Sequence, residues 1–143
     1  MPGDRATSSI GTLVEMIDRA AARYGERPAL GLRLDDGTSW HWSYRELALR
    51  SRAVAWRLRA LGLAPGDRLL TWSPSTPALV AAYVGAMRAR LVYVPLDLRM
   101  SPAAIEGIVA SAEPRLLVLG SGRDAPDPAL VRLEHVPTIV GTC

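Results

Sequence analysis

With 143 residues the chain has the length of one compact domain and enough bulk to bury a real hydrophobic core. Its 49% hydrophobic and 22% charged residues are those of a soluble globular protein, not of a disordered or fibrous one. All 17 basic residues are arginine and no lysine occurs, which excludes a Walker-type P-loop, a pyridoxal Schiff base and any lysine nucleophile; a net charge of only +3, with acids spread among the arginines, argues against a nucleic-acid groove.

In chain order, residues 1–9 read as a flexible tail and 10–143 as a single α/β unit. The first helical signal is TLVE, where Thr12 and Glu15 have the spacing of a capping box. Ile10, Leu13, Ile17, Ala20 and Tyr24 recur at steps of three and four and predict one buried stripe, which Gly25 ends. PALGLRL and TSWHWS, separated by Asp35, Asp36 and Gly37, predict a small β-hairpin. A second capping box, Ser43 to Glu46, opens a helix with Leu47, Ser51, Val54, Leu58 and Leu61 on one face; Gly62 is placed to stop it in the left-handed conformation.

From Asp67 the pattern changes to short apolar strands alternating with helices. DRLLTW, LVYV, RLLVL and PTIV read as strands, and TPALVAAYVGAMR, SPAAIEGIVASA and DPALVRLE as helices. Continuous apolar strands predict a mostly parallel sheet covered by helices on both faces. The helix over 77–87 is apolar nearly all round and should be buried on more than one side.

Several stretches offer candidate sites. GSGRDA, from Gly120, fits the dinucleotide pattern G-x-G-x-x-A after a strand. Pro126 and Pro128 put the helix start after the motif, it lies near the end of the chain, and no acid stands about 20 residues on, so a surface turn with Asp127 as N-cap is the competing reading. WSPSTPA, residues 72–78, gathers Ser73, Ser75 and Thr76 between a strand and a helix but has no glycine to let its backbone approach a phosphate; Thr76–Pro77 has the grammar of an N-cap and first helical residue. His41 and His135 are the only histidines and Cys143 the only cysteine, so neither an intramolecular disulfide nor a zinc site within one chain is expected. A Ser/His/Asp triad from His41 or His135 and Asp97 has no G-x-S-x-G elbow to anchor it, and Trp40 and Trp42 read as packing residues. Asp35 and Asp36 lie in a turn. Arg88 and Arg90 interrupt the longest apolar run and MPGDRATSSI has no signal-peptide segment, so no membrane span and a cytoplasmic location are expected.

The order of motifs carries more than any one of them. S-Y-x-E-L at Ser43 to Leu47, L-G-x-x-P-G-D-R at Leu61 to Arg68, a buried helix ending in AMRA, and V-Y-V-P-L-D at Val92 to Asp97 together resemble the N-terminal region of the adenylate-forming, AMP-binding superfamily over roughly residues 10 to 140. PLDLRMSPAAIEGIVASAEPRLLVLGSG is most similar to bacterial acyl-CoA ligases of the fatty-acid type. The resemblance implies a fold that is the front part of a larger N-terminal domain. It also implies a parent reaction in which ATP and a carboxylate give an acyl-adenylate and pyrophosphate, then coenzyme A displaces AMP, with magnesium assisting. In the family the phosphate loop, the aromatic and Thr-Glu motif, the ribose-binding aspartate and the adenylation lysine lie beyond the matched region, so this chain is expected to be inactive alone, with no catalytic, cofactor-binding or metal-binding residue of its own. Its expected partners are the remainder of the enzyme and, through exposed apolar surface, a second copy. A stand-alone acyl- or nucleotide-binding module and a dinucleotide-binding protein are the alternatives. Where Arg90 stands the family commonly has glycine, and the arginine is expected to keep to a conformation open to side chains. The turn from Pro95 to Arg99 is expected nearest to substrate, with Asp97 and Arg99 either positioning a loop or leading into a helix capped by Ser101. The end at Cys143, just after PTIV, reads as a cut.

Overall fold

The computed structural model describes residues 11–120 and 136–140. The order is α1 (Leu13–Tyr24), β1 (Pro28–Arg33), β2 (Ser39–Ser43), α2 (Tyr44–Ala60), β3 (Arg68–Trp72), α3 (Pro77–Arg88), β4 (Val92–Leu96), α4 (Pro102–Ala112), β5 (Leu116–Leu119) and β6 (Thr138–Val140). Strands β1 and β2 form an antiparallel hairpin; the other four form a parallel sheet in the order β4-β3-β5-β6. This is the expected α/β architecture. The tail over 1–9 and the helix expected over 127–134 lie outside the described residues.

Side chains alternate along the parallel strands and so build two cores. Leu69, Tyr93, Leu116 and Val118 face α2 and α3, where Ala55, Leu58, Ala86 and Ala89 meet them. Leu70, Trp72, Val94, Leu96, Leu117 and Leu119 face the other way, onto Ile105, Ile108 and Val109 of α4. Helices α3 and α4 therefore cover opposite faces. That follows from direction: the chain leaves β3 toward β4 on one side, then passes back over β3 to reach β5, and right-handed crossovers in opposite directions lie on opposite faces. Pro95 fits within β4 because an edge strand leaves one row of its backbone groups unpaired.

The helix ends explain the motif series. At α2 the Leu63 N–H donates to the Leu58 carbonyl and the Gly62 N–H to the Arg59 carbonyl, with Gly62 at φ 86. This is a Schellman cap, and it turns Leu61 outward (47% exposed) while burying Leu63, so the buried face expected to include Leu61 ends at Leu58. Helix α3 ends identically: Leu91 N–H to Ala86 O, Arg90 N–H to Met87 O. Here the left-handed position is Arg90, at φ 63, contrary to the expectation that an arginine would avoid it. The two bonds of the cap and the buried Leu91 hold it there. The A-P-G-D-R turn locks onto this corner, with the Gly66 N–H on the Arg90 carbonyl and the Ala64 N–H on Asp67 Oδ2. The Arg68 side chain donates to the Ala112 and Glu113 carbonyls at the end of α4, satisfying groups the helix cannot.

Helix α1 corrects the sequence reading. Of the expected stripe Ile17 and Ala20 are half-buried, Leu13 and Tyr24 are 49% and 37% exposed, and Ile10 lies outside the described residues; Val14, Asp18 and Ala21 complete the inward side. The cause is polar: Arg88, whose side chain is 8% exposed, donates through Nη1 and Nη2 to the two carboxylate oxygens of Asp18 (3.0 and 2.6 Å) and through Nε to the buried Ser51 hydroxyl (2.9 Å). One guanidinium thus joins α1, α2 and α3, and α1 must turn Asp18 inward to reach it. Arg52 adds a contact to Asp18 at 3.0 Å. The first capping box is also displaced: Thr12 accepts from the Glu15 N–H, but the Glu15 carboxylate accepts from Gly11. The Ser43 box forms as expected.

The hydrogen bonds and charge of Arg88, then of Arg52, hold the Asp18 carboxyl below its usual range against the opposing effect of burial. A lowered folded-state pKa means that this stability is fully present above the unfolded value near 3.8 and is lost as pH falls through the folded value. Asp18→Asn should therefore destabilise the chain by about 1.5–3 kcal/mol at pH 7, with the difference from wild type shrinking below about pH 4 in chemical denaturation. Arg90→Gly should act in the opposite direction and stabilise by up to about 1 kcal/mol, because relief of left-handed strain outweighs the greater freedom of the unfolded glycine; a lower melting temperature would contradict this.

Candidate functional site

In open parallel sheets, ligands sit at the carboxyl ends of strands where the direction of winding reverses. Here that point lies between β3 and β5, since the chain winds from β3 toward β4 and from β5 toward β6. A cleft of about 190 Å³ opens there. Its floor is Thr71, Ser73, Val118, Leu119 and Gly120; α3 supplies Thr76, Ala78, Leu79 and Ala82; Leu32, Trp40 and Trp42 of the hairpin roof it.

The polar groups of this cleft are already committed. Thr71 Oγ1 donates to the Tyr93 hydroxyl at 2.8 Å, Ser73 Oγ to the Pro74 carbonyl at 3.0 Å, and Thr76 Oγ1 accepts from the Leu79 N–H at 3.3 Å as the N-cap of α3. Burial raises the pKa of Tyr93, the Thr71 bond opposing, so the phenol stays protonated. Among the described residues no ionisable side chain lines the cleft. The lining suits an apolar or aromatic group, and the volume is below the roughly 300–1,000 Å³ of a complete small-molecule site.

Gly120 answers for the start of GSGRDA. A Cβ there would stand 2.6 Å from Ser73 Cβ and 2.9 Å from Pro74 Cδ, while the Gly120 N–H donates to the Trp72 carbonyl at 2.9 Å. The glycine lets β5 end tightly against the loop after β3. Residues 121–128 of the stretch are outside the described residues.

A second depression, about 530 Å³, lies where β3 and β4 end, lined by Ser73, Ser75, Leu79 and the turn Pro95 to Arg99. Asp97 accepts from the Arg99 backbone N–H (2.8 Å), Nε (3.1 Å) and Nη2 (2.9 Å). These bonds hold its pKa at about 2 and raise that of Arg99. The pair folds back on itself as a turn, and Ser101 caps α4 through the Ala104 N–H at 3.3 Å, which is the helix-leading role. Among the described residues no triad forms: the Asp97 carboxylate is taken by Arg99 and His41 lies exposed on the hairpin opposite Gly31, while His135 is outside the described residues. Trp42 is buried beneath Arg50, which stacks 4.3 Å over its ring, whereas Trp40 remains 37% exposed at the cleft. Asp36 caps its own turn through Thr38.

Among the described residues no three His, Cys, Asp or Glu side chains come together as a metal site, and no helix is long and apolar enough to cross a membrane. Among the described residues the donor set does not suit a nucleotide triphosphate with its magnesium: there is no lysine, the cleft hydroxyls are each engaged in a bond within the chain, and no carboxylates cluster. The contact of Gly120 with Ser73 and the hairpin roof were not read from the sequence, whose only signal was a glycine immediately after a strand. Gly120→Ala should cost about 1–3 kcal/mol through overpacking, seen as a lowered denaturation midpoint; an unchanged midpoint would mean that the strand end is not tightly packed.

Comparison with known proteins agrees with the geometry. Residues 17–142 match the AMP-binding enzyme family. The L-proline–L-prolyl-carrier protein ligase of Streptomyces coelicolor is 37% identical over 100 residues, 70% of this chain and 18% of that protein. The 3-hydroxybenzoate–CoA/4-hydroxybenzoate–CoA ligase of Thauera aromatica is 30% identical over 65% of this chain and 22% of its own length. Among solved structures, VinN in complex with 3-methylaspartate superposes with a TM-score of 0.74 at 27% identity, covering 91% of this chain and 34% of VinN. The Brucella canis acyl-CoA synthetase gives 0.72 at 29%, covering 87% and 22%. The chain thus spans about a fifth of the two curated relatives. With its parallel sheet, flanking helices and hairpin, it belongs to the AMP-binding enzyme family and corresponds to the N-terminal region of an adenylate-forming enzyme.

Proposed function

We propose that the chain serves as the structural front part of an ATP-dependent acid-activating ligase, which converts a carboxylate to an acyl-adenylate with release of pyrophosphate and then passes the acyl group to a thiol. The observation that carries this reading is the match to the AMP-binding family over residues 17–142, with each motif of the series occupied in building the scaffold. ATP, magnesium and coenzyme A belong to the proposed parent reaction.

The proposed subfamily is the fatty-acid type of acyl-CoA ligase, supported by the similarity to the Brucella canis acyl-CoA synthetase. Amino-acid activation is the second reading, supported by the likeness to the prolyl-carrier protein ligase. The remainder of such an enzyme is the proposed main partner, with a homodimer through exposed apolar side chains such as Val92 at the sheet edge as the form adopted without it.

The purified 143-residue chain is expected to show no carboxylate-dependent exchange of pyrophosphate into ATP with palmitate or with proline, and no thermal shift with millimolar ATP. Exchange with either acid would overturn the claim that it is inactive alone. Saturable stabilisation by ATP or an acyl-CoA without exchange would favour a stand-alone binding module instead.

A further inference from the structure

The outer face of α2 carries an ordered pattern that core packing does not require. Leu49, Ala53, Trp56 and Ala60 follow one another at steps of four, three and four residues, the spacing of alternating d and a positions in a heptad. All four are exposed, Leu49 at 56% and Trp56 at 71%, the latter the most exposed large apolar side chain among the described residues. Arg45, Arg52 and Arg59 border this seam on the g side, and Arg50 and Arg57 on the e side; all five are exposed. Every flanking position is therefore arginine. The single acid of α2, Glu46, is taken by the capping box.

The pattern constrains what can cover the face. On the g side Arg45 pairs with Glu26 and Arg52 with Asp18, each at 3.0 Å, and Arg59 donates to the Arg88 carbonyl. On the e side Arg50 stacks over Trp42, and neither Arg50 nor Arg57 has a carboxylate within salt-bridge distance among the described residues. A second copy docked through the same face would set arginine against arginine, which heptad pairing penalises. A bilayer-binding helix carries a broad apolar face, whereas here only Leu49 and Trp56 are large and the alanines between them leave notches. Notches between projecting side chains are what a helix receives from another helix.

We propose that the outer face of α2 docks an acidic amphipathic helix of a partner protein, whose apolar stripe seats on Leu49, Ala53, Trp56 and Ala60 and whose carboxylates meet Arg50 and Arg57, the two flanking arginines with no carboxylate beside them among the described residues. The seam is about 16 Å long at 1.5 Å per residue, so the pairing is a weak and reversible one.

The test titrates the 143-residue chain with two 21-residue amidated helical peptides, both with leucine and alanine at a and d, one with glutamate and the other with lysine at e and g. Vesicles of phosphatidylcholine and phosphatidylglycerol are titrated alongside. The glutamate peptide is expected to bind at low ionic strength and the lysine peptide not. Binding should fall at least about tenfold in Trp56→Ala and in Ala53→Glu, as for a seam with one large anchor, and should weaken in 0.5 M salt. Both substitutions lie on the exposed face, and unchanged circular dichroism shows that the fold is retained. Equal binding of the two peptides, no binding of the glutamate peptide at millimolar concentration, undiminished binding by Ala53→Glu, or binding of anionic vesicles but of neither peptide would each overturn the proposal.

Discussion

Everything in this chain is referenced to the parallel pairing of β3 with both β4 and β5. A parallel ladder cannot be closed by a tight turn, so each neighbour must be reached by a helix that crosses the sheet. Because one neighbour lies to each side, the two crossovers run in opposite directions and cover opposite faces. The alternation of side chains along β3 then has to serve two cores, and it does: Leu69 and Thr71 face one helix layer, Leu70 and Trp72 the other, all at 3% exposure or less. The same reversal fixes where a cleft can open, between the ends of β3 and β5.

Two close approaches make that arrangement rigid. A Cβ on Gly85 in α3 would stand 2.5 Å from Val54 Cγ1, so the glycine sets how near α2 and α3 can come. At this short separation the Arg88 side chain reaches Ser51 and Asp18 while staying out of water. A guanidinium so enclosed is tolerated because its donors are met by the Asp18 carboxylate and the Ser51 hydroxyl. Gly120 does at the strand ends what Gly85 does between helices. Both positions are places where chain passes against chain, a role that the sequence shows for neither: Gly85 reads as an ordinary small residue of a helix and Gly120 as the start of a glycine motif.

Local grammar was legible in the sequence and long-range polar geometry was not. The hairpin, the Ser43 capping box, the Thr76 and Ser101 caps and the parallel strands follow from short-range spacing and strand composition, because a cap or a turn involves residues three or four apart. The facing of α1 was misread because hydrophobic periodicity weighs Leu13 and Tyr24 above a carboxylate, while the partner that fixes Asp18 lies 70 residues away. Arg90 was misread for a related reason: its left-handed conformation is imposed by the two hydrogen bonds of the cap and by the burial of Leu91, not by its own preference. The order of motifs identified the family because those motifs mark helix and strand corners, which fix the fold. The substrate was not legible, and the structure gives the reason in the cleft itself, whose hydroxyls are bonded within the chain.

This distribution of polar groups separates construction from chemistry. Asp67 and Arg68 stand at the start of β3 and Asp97 and Arg99 just after β4, and only the second pair lies at a carboxyl strand end, the usual place for ligands in an α/β protein. In three dimensions Asp67 closes a turn, Arg68 caps α4, and Asp97 with Arg99 folds the lead into the same helix. Their charges are met within a few ångströms by groups of the chain itself, so little field is left to act on a ligand. On α2 the balance is reversed: its inner face is apolar and closed, and its outer face holds five arginines that exceed the carboxylates beside them. Arginines arranged in register along an exposed helix, in excess of the carboxylates that pair with them, have a further physical effect outside the molecule, on whatever approaches that helix.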